Sequence, residues 1–574
     1  MSIQHAQEGT AFSLTDTVVD HGDNSGRPTL TSAFSGITLT TTNSEPISNF
    51  DTRQPMRKEM TIDPRLTPPT IPPEHPNRTL VLCFDGTGDQ FDGDNSNIVQ
   101  LVSLLKKNDR SKQMVYYQAG IGTYMSPKVA TPFTSKIHKT LDEMFAWNLH
   151  AHVMSGYEFL MQNYVEGDKI CIFGFSRGAY TARSLAGMIH KVGLLPADNH
   201  QQVPFAYKMY TRADDVGWEQ SNAFMLAFSV DVDIEFLGVW DTVDSVGIIP
   251  KRLPFTTSNT IVRNFRHAIA LDERRAKFKA NLWNRPTVEE QHLGVQTQPV
   301  VTSSPQPLKE KDRKGSLSYQ SSTLRTPKES EEERRLSNFE RIYSQKEKHV
   351  TDIQEVWFSG CHCDVGGGSV TNKTRHSLAR ISLRWMVREC FKTNSGIMFD
   401  SQALRTIGLD PSTLFPYVTP RRPPLPVGSE AYQMLKKPSF FRQLLSSLRR
   451  EAKAEYAVTV TAPANGNIEH IDEELEDLRD ALSPIYDQLK IKRSWWVLEI
   501  LPLNLRYQNG NNEWITYFSS NLARPRFIPK QKRNGVNVHR TVRLRMDANP
   551  PEESKKKKKY KPKAHFSVEP TWIA

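Results

Sequence analysis

"KICIFGFSRGAYTAR", residues 169–183, decides how the chain is read. A short apolar run, Ile170 to Phe173, leads into Gly174-Phe175-Ser176-Arg177-Gly178. A helix-forming stretch with small residues at Ala179 and Ala182 follows. Gly-x-Ser-x-Gly alone is a modest signal. Between a buried strand and a helix it predicts a nucleophile elbow, a turn so tight that side chains at Gly174 and Gly178 would collide. Ser176 then stands at the strand's C-terminal end, beside a helix N-terminus whose N–H groups favour an anion. The Arg177 N–H is the expected oxyanion donor. The bland alternative is a serine that only caps the helix.

Working outward, strands alternate with helices. "RTLVLCF" (78–84), "QMVYYQAG", "KICIFGF", "DVDIEFLGVW" and "DIQEVWFSG" read as strands. "NIVQLVSLLKK" (97–107, capped by Asn95 or Ser96), "NLHAHVMSGYEFLMQNYVEG", "RGAYTARSLAGMIHKVG" and "HSLARISLRWMVREC" read as helices. Alternation of this kind implies an α/β fold: a doubly wound, mostly parallel sheet covered on both faces.

A serine at neutral pH needs a base, and the base needs an orienting carboxylate. On such a sheet both come from later strand ends, in the chain order Ser, Asp/Glu, His. "IEFLGVWDTV" ends a strand at Asp241, and "VWFSGCHCDVGGG" ends one at His362. His267, in "RNFRHAIALDERR", is the alternative base, in a stretch that reads as helical. Both histidines follow Asp241, and His362, at a strand end, is favoured over the helical-looking His267. Asp364 is a rival carboxylate or a loop-shaping residue. In "CFDGTGDQFDGDNSN", Gly86 or Thr87 can supply a second oxyanion N–H. As an aspartyl-phosphate motif this loop has Cys83 where a second Asp is needed. As a calcium loop it lacks the sixth-position Gly and the twelfth-position Glu.

Composition bounds the rest. The 574 residues are 38% hydrophobic, with a mean hydropathy of −0.53. That is polar for one globule and implies disordered segments. Residues 1–77, rich in Ser, Thr, Asn and Pro, are the first, and the polar insertion 286–349 is the second. The catalytic domain is expected over 78–400, interrupted by that insertion. A C-terminal accessory or cap region spans 401–550, and a basic tail 551–574. Within the accessory region "SFFRQLLSSLRREAKAEY" reads as an amphipathic helix. Arg313-Lys314-Gly315-Ser316 and Arg334-Arg335-Leu336-Ser337 resemble basophilic kinase sites, so a kinase acting on the insertion is one partner to consider.

Net charge is +11, and seven lysines of "KKKKKYKPK" (555–563) account for all but +4 of it. Such a run can bind anionic lipid or an import receptor; the bland alternative is a solvated tail. No nucleic-acid partner is expected. The five cysteines are too few and scattered for a disulfide framework. Cys361-His362-Cys363 lacks a second ligand pair, so neither metal nor cofactor is expected. With no signal-peptide pattern or apolar span, a cytoplasmic protein is expected, with a nuclear or membrane-surface pool through the Lys-rich run.

"LVLCFDGTGD", "YYQAGIGT", "CIFGFSRGAYTARSLAGMI", "FLGVWDTV", "RHAIALDERR" and "VWFSGCHCDVGGG" resemble, in that order, the motifs of an α/β-hydrolase family that includes type VI secretion phospholipase effectors. The resemblance covers about 78–400. It implies Ser176 as nucleophile, Asp241 as triad acid and His362 as base, and phospholipid or other lipid esters as substrates. The expected activity is therefore a serine hydrolase of carboxylic esters, acting on lipid at or near a membrane surface. The alternatives are a hydrolase of another acyl bond, such as a thioester, and a non-catalytic scaffold that retains the fold.

Overall fold

The protein is described from a computed structural model covering residues 67–87, 89–120, 134–243, 252–283, 335–336, 339–340, 350–426, 472–508, 514–529, 531, 535–548 and 559–574. The N-terminal segment to residue 66, the amphipathic stretch 439–456 and both candidate phosphoserines, Ser316 and Ser337, lie outside these residues.

The core is an eight-stranded sheet, parallel throughout, in the order β12-β11-β7-β6-β5-β4-β2-β3. Its strands are β2 (Thr79–Phe84), β3 (Gln113–Gln118), β4 (Lys169–Phe175), β5 (Ile234–Trp240), β6 (Val262–Ala270), β7 (Asp352–Phe358), β11 (Asn537–His539) and β12 (Thr571–Ile573). A two-residue strand, β1 (Thr70–Ile71), pairs with β8 (Phe399–Asp400). The hairpin of β9 (Leu503–Gln508) and β10 (Trp514–Ser519) stands apart from the main sheet.

Period-two alternation divides the strand residues between two cores. Leu80, Leu82, Phe84, Ile170 and Ile172 face one way, with α2 (Thr134–Asn163), α3 (Arg177–Val192) and α4 (Val203–Thr211). Val81, Cys83, Cys171, Phe173 and Phe175 face the other, with α1 (Asn97–Leu104) and a later helix, Ala379–Lys392. Ser96 caps α1, its hydroxyl accepting from the Val99 N–H at 3.3 Å. Strand order reverses between β2 and β4. Crevices at such a switch point, outside the carboxyl ends of the strands, are where open α/β sheets place their ligands.

Three stretches differ from the sequence reading. "RNFRHAIA" forms β6 and not a helix. Its Arg266 and His267 are buried against Glu389 and Glu355 from neighbouring elements, so their polarity does not mark a solvent face. Within the insertion read as disordered, Leu336 is buried beside Trp218 and Phe255, and Phe339 stacks on Trp218 with ring centroids 5.5 Å apart. Glu340 pairs there with Arg252. Finally, the stretch read as a basic tail ends in the sheet: β12 is its edge strand, and Tyr560 donates to Asp272 at 2.7 Å.

Among the described residues no helix is long and apolar enough to cross a membrane.

Candidate active site

Ser176 lies at the switch point, between β4 and α3. Its φ of 58° and ψ of −121° fall outside the regions favoured by L-residues. The Ser176 N–H donates to the Trp240 carbonyl at 3.0 Å, which holds the turn against β5. Strain in a non-glycine residue persists only where its surroundings over-determine it, and here they do. A Cβ on Gly174 would come within 2.5 Å of the Gly178 carbonyl oxygen, and one on Gly178 within 2.3 Å of the Asp85 carbonyl oxygen. The Ser176 side chain makes no capping hydrogen bond, which removes the reading of this serine as a helix cap. The hydroxyl stays at the site with 5% of the residue exposed.

Asp241 follows β5 directly, with its own positive φ of 42°. Its Oδ2 accepts from His362 Nδ1 at 2.6 Å, and its Oδ1 from the Ala270 N–H at 2.8 Å. His362 opens a one-turn helix, His362–Gly366, just after β7. Its ring lies 4.7 Å from that of Phe175, the residue before Ser176, and 4.8 Å from Phe278. Nε2 of His362 makes no hydrogen bond among the described residues.

Burial and charge set the protonation of this pair. Burial alone would raise the Asp241 carboxyl, but the Arg526 guanidinium and the His362 hydrogen bond outweigh it and hold the acid well below the usual carboxylate range. Burial lowers the His362 imidazole; Asp241 pulls it back up, Arg275 pushes it down, and the net direction is down. The net shift favours the neutral imidazole, the form a general base needs.

The alternative base, His267, is engaged at both nitrogens. Nδ1 lies 3.1 Å from Glu355 Oε1, and Nε2 accepts from the Thr242 N–H at 3.2 Å. In register it is level with Val239, inside the sheet and not at its end. Asp364 shapes the loop: its carboxylate accepts from the Cys361 N–H at 2.8 Å and the Tyr486 N–H at 3.0 Å.

On the serine side, the two candidate oxyanion residues of the β2 loop differ. The Gly86 N–H already donates to Asp85 Oδ1 at 2.8 Å, while the buried Thr87 hydroxyl has no partner among the described residues. Asp89 lies over Gly86, where an added Cβ would meet its Oδ2 at 2.2 Å. Burial, then the charges of Asp85, Asp92 and Asp94, push the Asp89 carboxyl up to about 7, against the pull of Arg177.

Sequence reasoning missed Arg526, which pairs with Asp241 at 2.5 Å, and the Glu273–Arg275 pair, whose Glu273 accepts from the His362 N–H at 3.2 Å. "LDERR" (271–275), shortly after His267, gave a usable hint of the second. "ARPRFIP" gave none of the first. The only His/Cys/Asp/Glu cluster with metal-like spacing among the described residues is His376, Glu476 and Asp480. Arg380 donates to both carboxylates, at 2.8 and 3.1 Å, so cations already fill it. A cavity of about 510 Å³ opens at the other end of the sheet, lined by Lys169, Lys191 and Asp233, and contains none of Ser176, Asp241 or His362.

Residues 78–389 match the family described as "T6SS, Phospholipase effector Tle1-like, catalytic domain". The uncharacterized protein YEL023C of Saccharomyces cerevisiae is 29% identical over 552 residues, 82% of this chain and 79% of the yeast protein. Among solved structures, an uncharacterized protein from Pseudomonas aeruginosa matches at 17% identity and a TM-score of 0.28; the match covers 56% of this chain and 46% of that one, under half its length. The Tle1 effector bound to the VgrG spike of the type VI secretion system matches at 13% identity and a TM-score of 0.24, over 81% of this chain and 94% of that one.

Proposed function

We propose that this chain, which belongs to the family of type VI phospholipase effector Tle1-like catalytic domains, is a serine hydrolase of lipid carboxylic esters working through Ser176, His362 and Asp241. The observation that carries the reading is the 2.6 Å Asp241–His362 hydrogen bond at the strand ends, with the imidazole beside Phe175 and the strained serine elbow.

Ser176 Oγ attacks the ester carbonyl as its proton passes to His362 Nε2. The Oγ–C bond forms, and the carbonyl electron pair moves to oxygen. The Arg177 N–H, with Thr87 in preference to Gly86, receives that oxyanion. The C–O bond to the leaving alcohol then breaks, and His362 returns the proton to the alcohol. Water, deprotonated by the same nitrogen, repeats the sequence on the acyl-enzyme and releases the carboxylic acid. Asp241 holds the Nδ1–H tautomer and offsets the charge on the imidazolium.

A lipid substrate is supported by the surface beside the site. Phe278, packed on His362, also meets Trp495 at 5.6 Å. Beyond Trp495 stand Val497, Ile500, Leu501 and Leu522, exposed by 47 to 61%, an unusual density of apolar side chains for a solvated surface. Lys490, Lys492, Arg493 and Arg524, close to them in the chain, are exposed as well. Exposed apolar side chains with basic neighbours in the chain suit transient contact with an anionic membrane.

The test is direct. The protein should label with a fluorophosphonate and release fatty acid from phospholipid vesicles, and Ser176→Ala should do neither. Labelling that persists in that variant would sink the assignment.

A further inference from the structure

Asp241 is held by a residue 285 positions away in the chain, outside the family-matched span. Arg526 Nη1 donates to Asp241 Oδ1 at 2.5 Å and Nη2 to Oδ2 at 2.9 Å, a two-pronged pair with 2% and 0% of the side chains exposed. The remaining donor capacity of the guanidinium is also used. Nη1 donates to the Ala270 carbonyl at 3.0 Å, while Nη2 and Nε donate to the Phe278 carbonyl at 2.6 and 3.1 Å. Five N–H groups and five bonds leave this side chain one geometry.

Two consequences meet at His362. Its carboxylate partner is fixed from three directions, by Arg526, by the Ala270 N–H and by the imidazole itself. Phe278, whose ring packs edge-on against that imidazole, is fixed by the same guanidinium. We propose that Arg526 is a positioning residue for the Asp241–His362 pair, neutralising the Asp241 charge and locking both walls of the imidazole's seat. The C-terminal region is then part of the working site and not an appendage to it. The inference rests on the reading of His362 as the base only for its effect on rate; its effect on the imidazole does not.

The charged groups around the ring agree. Glu273 faces its backbone N–H, and Arg275, paired with Glu273 at 2.8 Å, lies 3.5 Å over the Phe278 ring. Asp364 is turned toward the Cys361 and Tyr486 amides, and burial pushes the Cys361 and Cys363 thiols up so that both stay neutral. Asp89, on the serine side, acts on Cys363. Asp241 and Glu273 are thus matched by Arg526 and Arg275. Without Arg526 the balance turns negative and favours the imidazolium.

The experiment follows the His362 imidazole by NMR on the histidine-labelled full chain, with the resonance assigned by its loss in His362→Gln. The unaltered protein should titrate below about 6.5, the ordinary histidine value. Arg526→Gln should raise the midpoint by about one pH unit or more. Arg526→Lys keeps the charge and loses the fork; it should leave the midpoint within a few tenths and lower kcat about tenfold. A folded Arg526→Gln chain with an unmoved midpoint, or Arg526→Lys at full rate, overturns the proposal. Should Arg526→Gln not fold, a midpoint at or above about 7 in the unaltered chain overturns it as well. Failure of the hydrolase reading shows separately, as Ser176→Ala that still labels, and leaves the imidazole titration a valid measurement.

Discussion

Two buried histidines, one inside the sheet and one just past the end of β7, each meet a carboxylate at Nδ1, and only His362 keeps a nitrogen without a hydrogen bond among the described residues. His267 reaches Glu355 at 3.1 Å and His362 reaches Asp241 at 2.6 Å. Burial lowers both imidazoles, and the paired carboxylate partly restores each. They differ at the other nitrogen. In His267 it accepts the Thr242 N–H, inside the sheet. In His362, just past the end of β7, it makes no hydrogen bond among the described residues. A carboxylate–histidine pair is therefore a common structural device. What qualifies one for catalysis is an uncommitted nitrogen at the carboxyl ends of the strands, where the serine elbow also sits.

The sharpest break of this comparison is to remove each ring. His362→Gln, like Ser176→Ala, should lower kcat about 10⁴- to 10⁶-fold in a chain that stays folded, at a stability cost like that of His267→Gln. His267→Gln should spare the rate. It disturbs buried hydrogen bonds to Glu355 and Thr242, for a stability cost of about 1–3 kcal/mol, and leaves kcat within a few-fold. Measuring both quantities on both variants decides the matter; a His267→Gln protein that folds and is inactive would exchange the two roles.

Next in size is Asp241→Asn. An amide at this position no longer fixes the Nδ1–H tautomer, and in the serine-protease precedent that change costs about 10⁴ in kcat. It also strands Arg526, and a buried charge robbed of its partner costs about 3–5 kcal/mol. Glu355→Gln, on the other pair, should lower stability alone. Rates and thermal melts on the two variants separate a carboxylate that works from one that only packs.

How much of this was legible in the sequence follows from where each interaction lies along the chain. The elbow was legible because its causes are local: Gly174 and Gly178 are required by contacts within the turn and with the end of β2. The parallel sheet was legible because each apolar strand carries its own period. That Asp241 and His362 stand at strand ends was legible because chain order around a doubly wound sheet fixes which strand ends come next. His267 was misread because the partners that make Arg266 and His267 tolerable inside a strand, Glu389 and Glu355, are remote in sequence. Arg526 was invisible for the same reason in stronger form. Leu336 and Phe339 lay in a stretch whose average polarity hid two apolar residues at helical spacing.

A smaller effect tests whether the His362 side of the site faces lipid. Val497→Ser with Ile500→Ser removes apolar surface exposed by 59 and 61% without touching Phe278 or His362. Turnover of vesicle phospholipid should fall about tenfold, since each buried side chain contributes about 1.5–3 kcal/mol at most to interfacial binding. Turnover of a short soluble ester should not change. Equal loss on both substrates would mean that the patch supports the fold and not the interface.

The smallest effect asks whether His362 alone sets the pH response. His362 gives an acid limb: its imidazole must be neutral to accept the serine proton, so activity falls as pH drops through its lowered value. Asp89, on the serine side, is a second group positioned to titrate, with its carboxyl pushed up to about 7 and lying over Gly86. As pH rises through 7 it becomes an anion in the loop proposed to receive the oxyanion, and the field of that charge would oppose the one developing in the transition state. Arg177 offsets part of it, so the decline should be only about two- to threefold, well under the cost of losing an oxyanion donor outright. Asp89→Asn should therefore keep the acid limb in place and flatten the profile of kcat/KM above pH 7. A variant profile that still declines there would place the alkaline-side titration on a group other than Asp89.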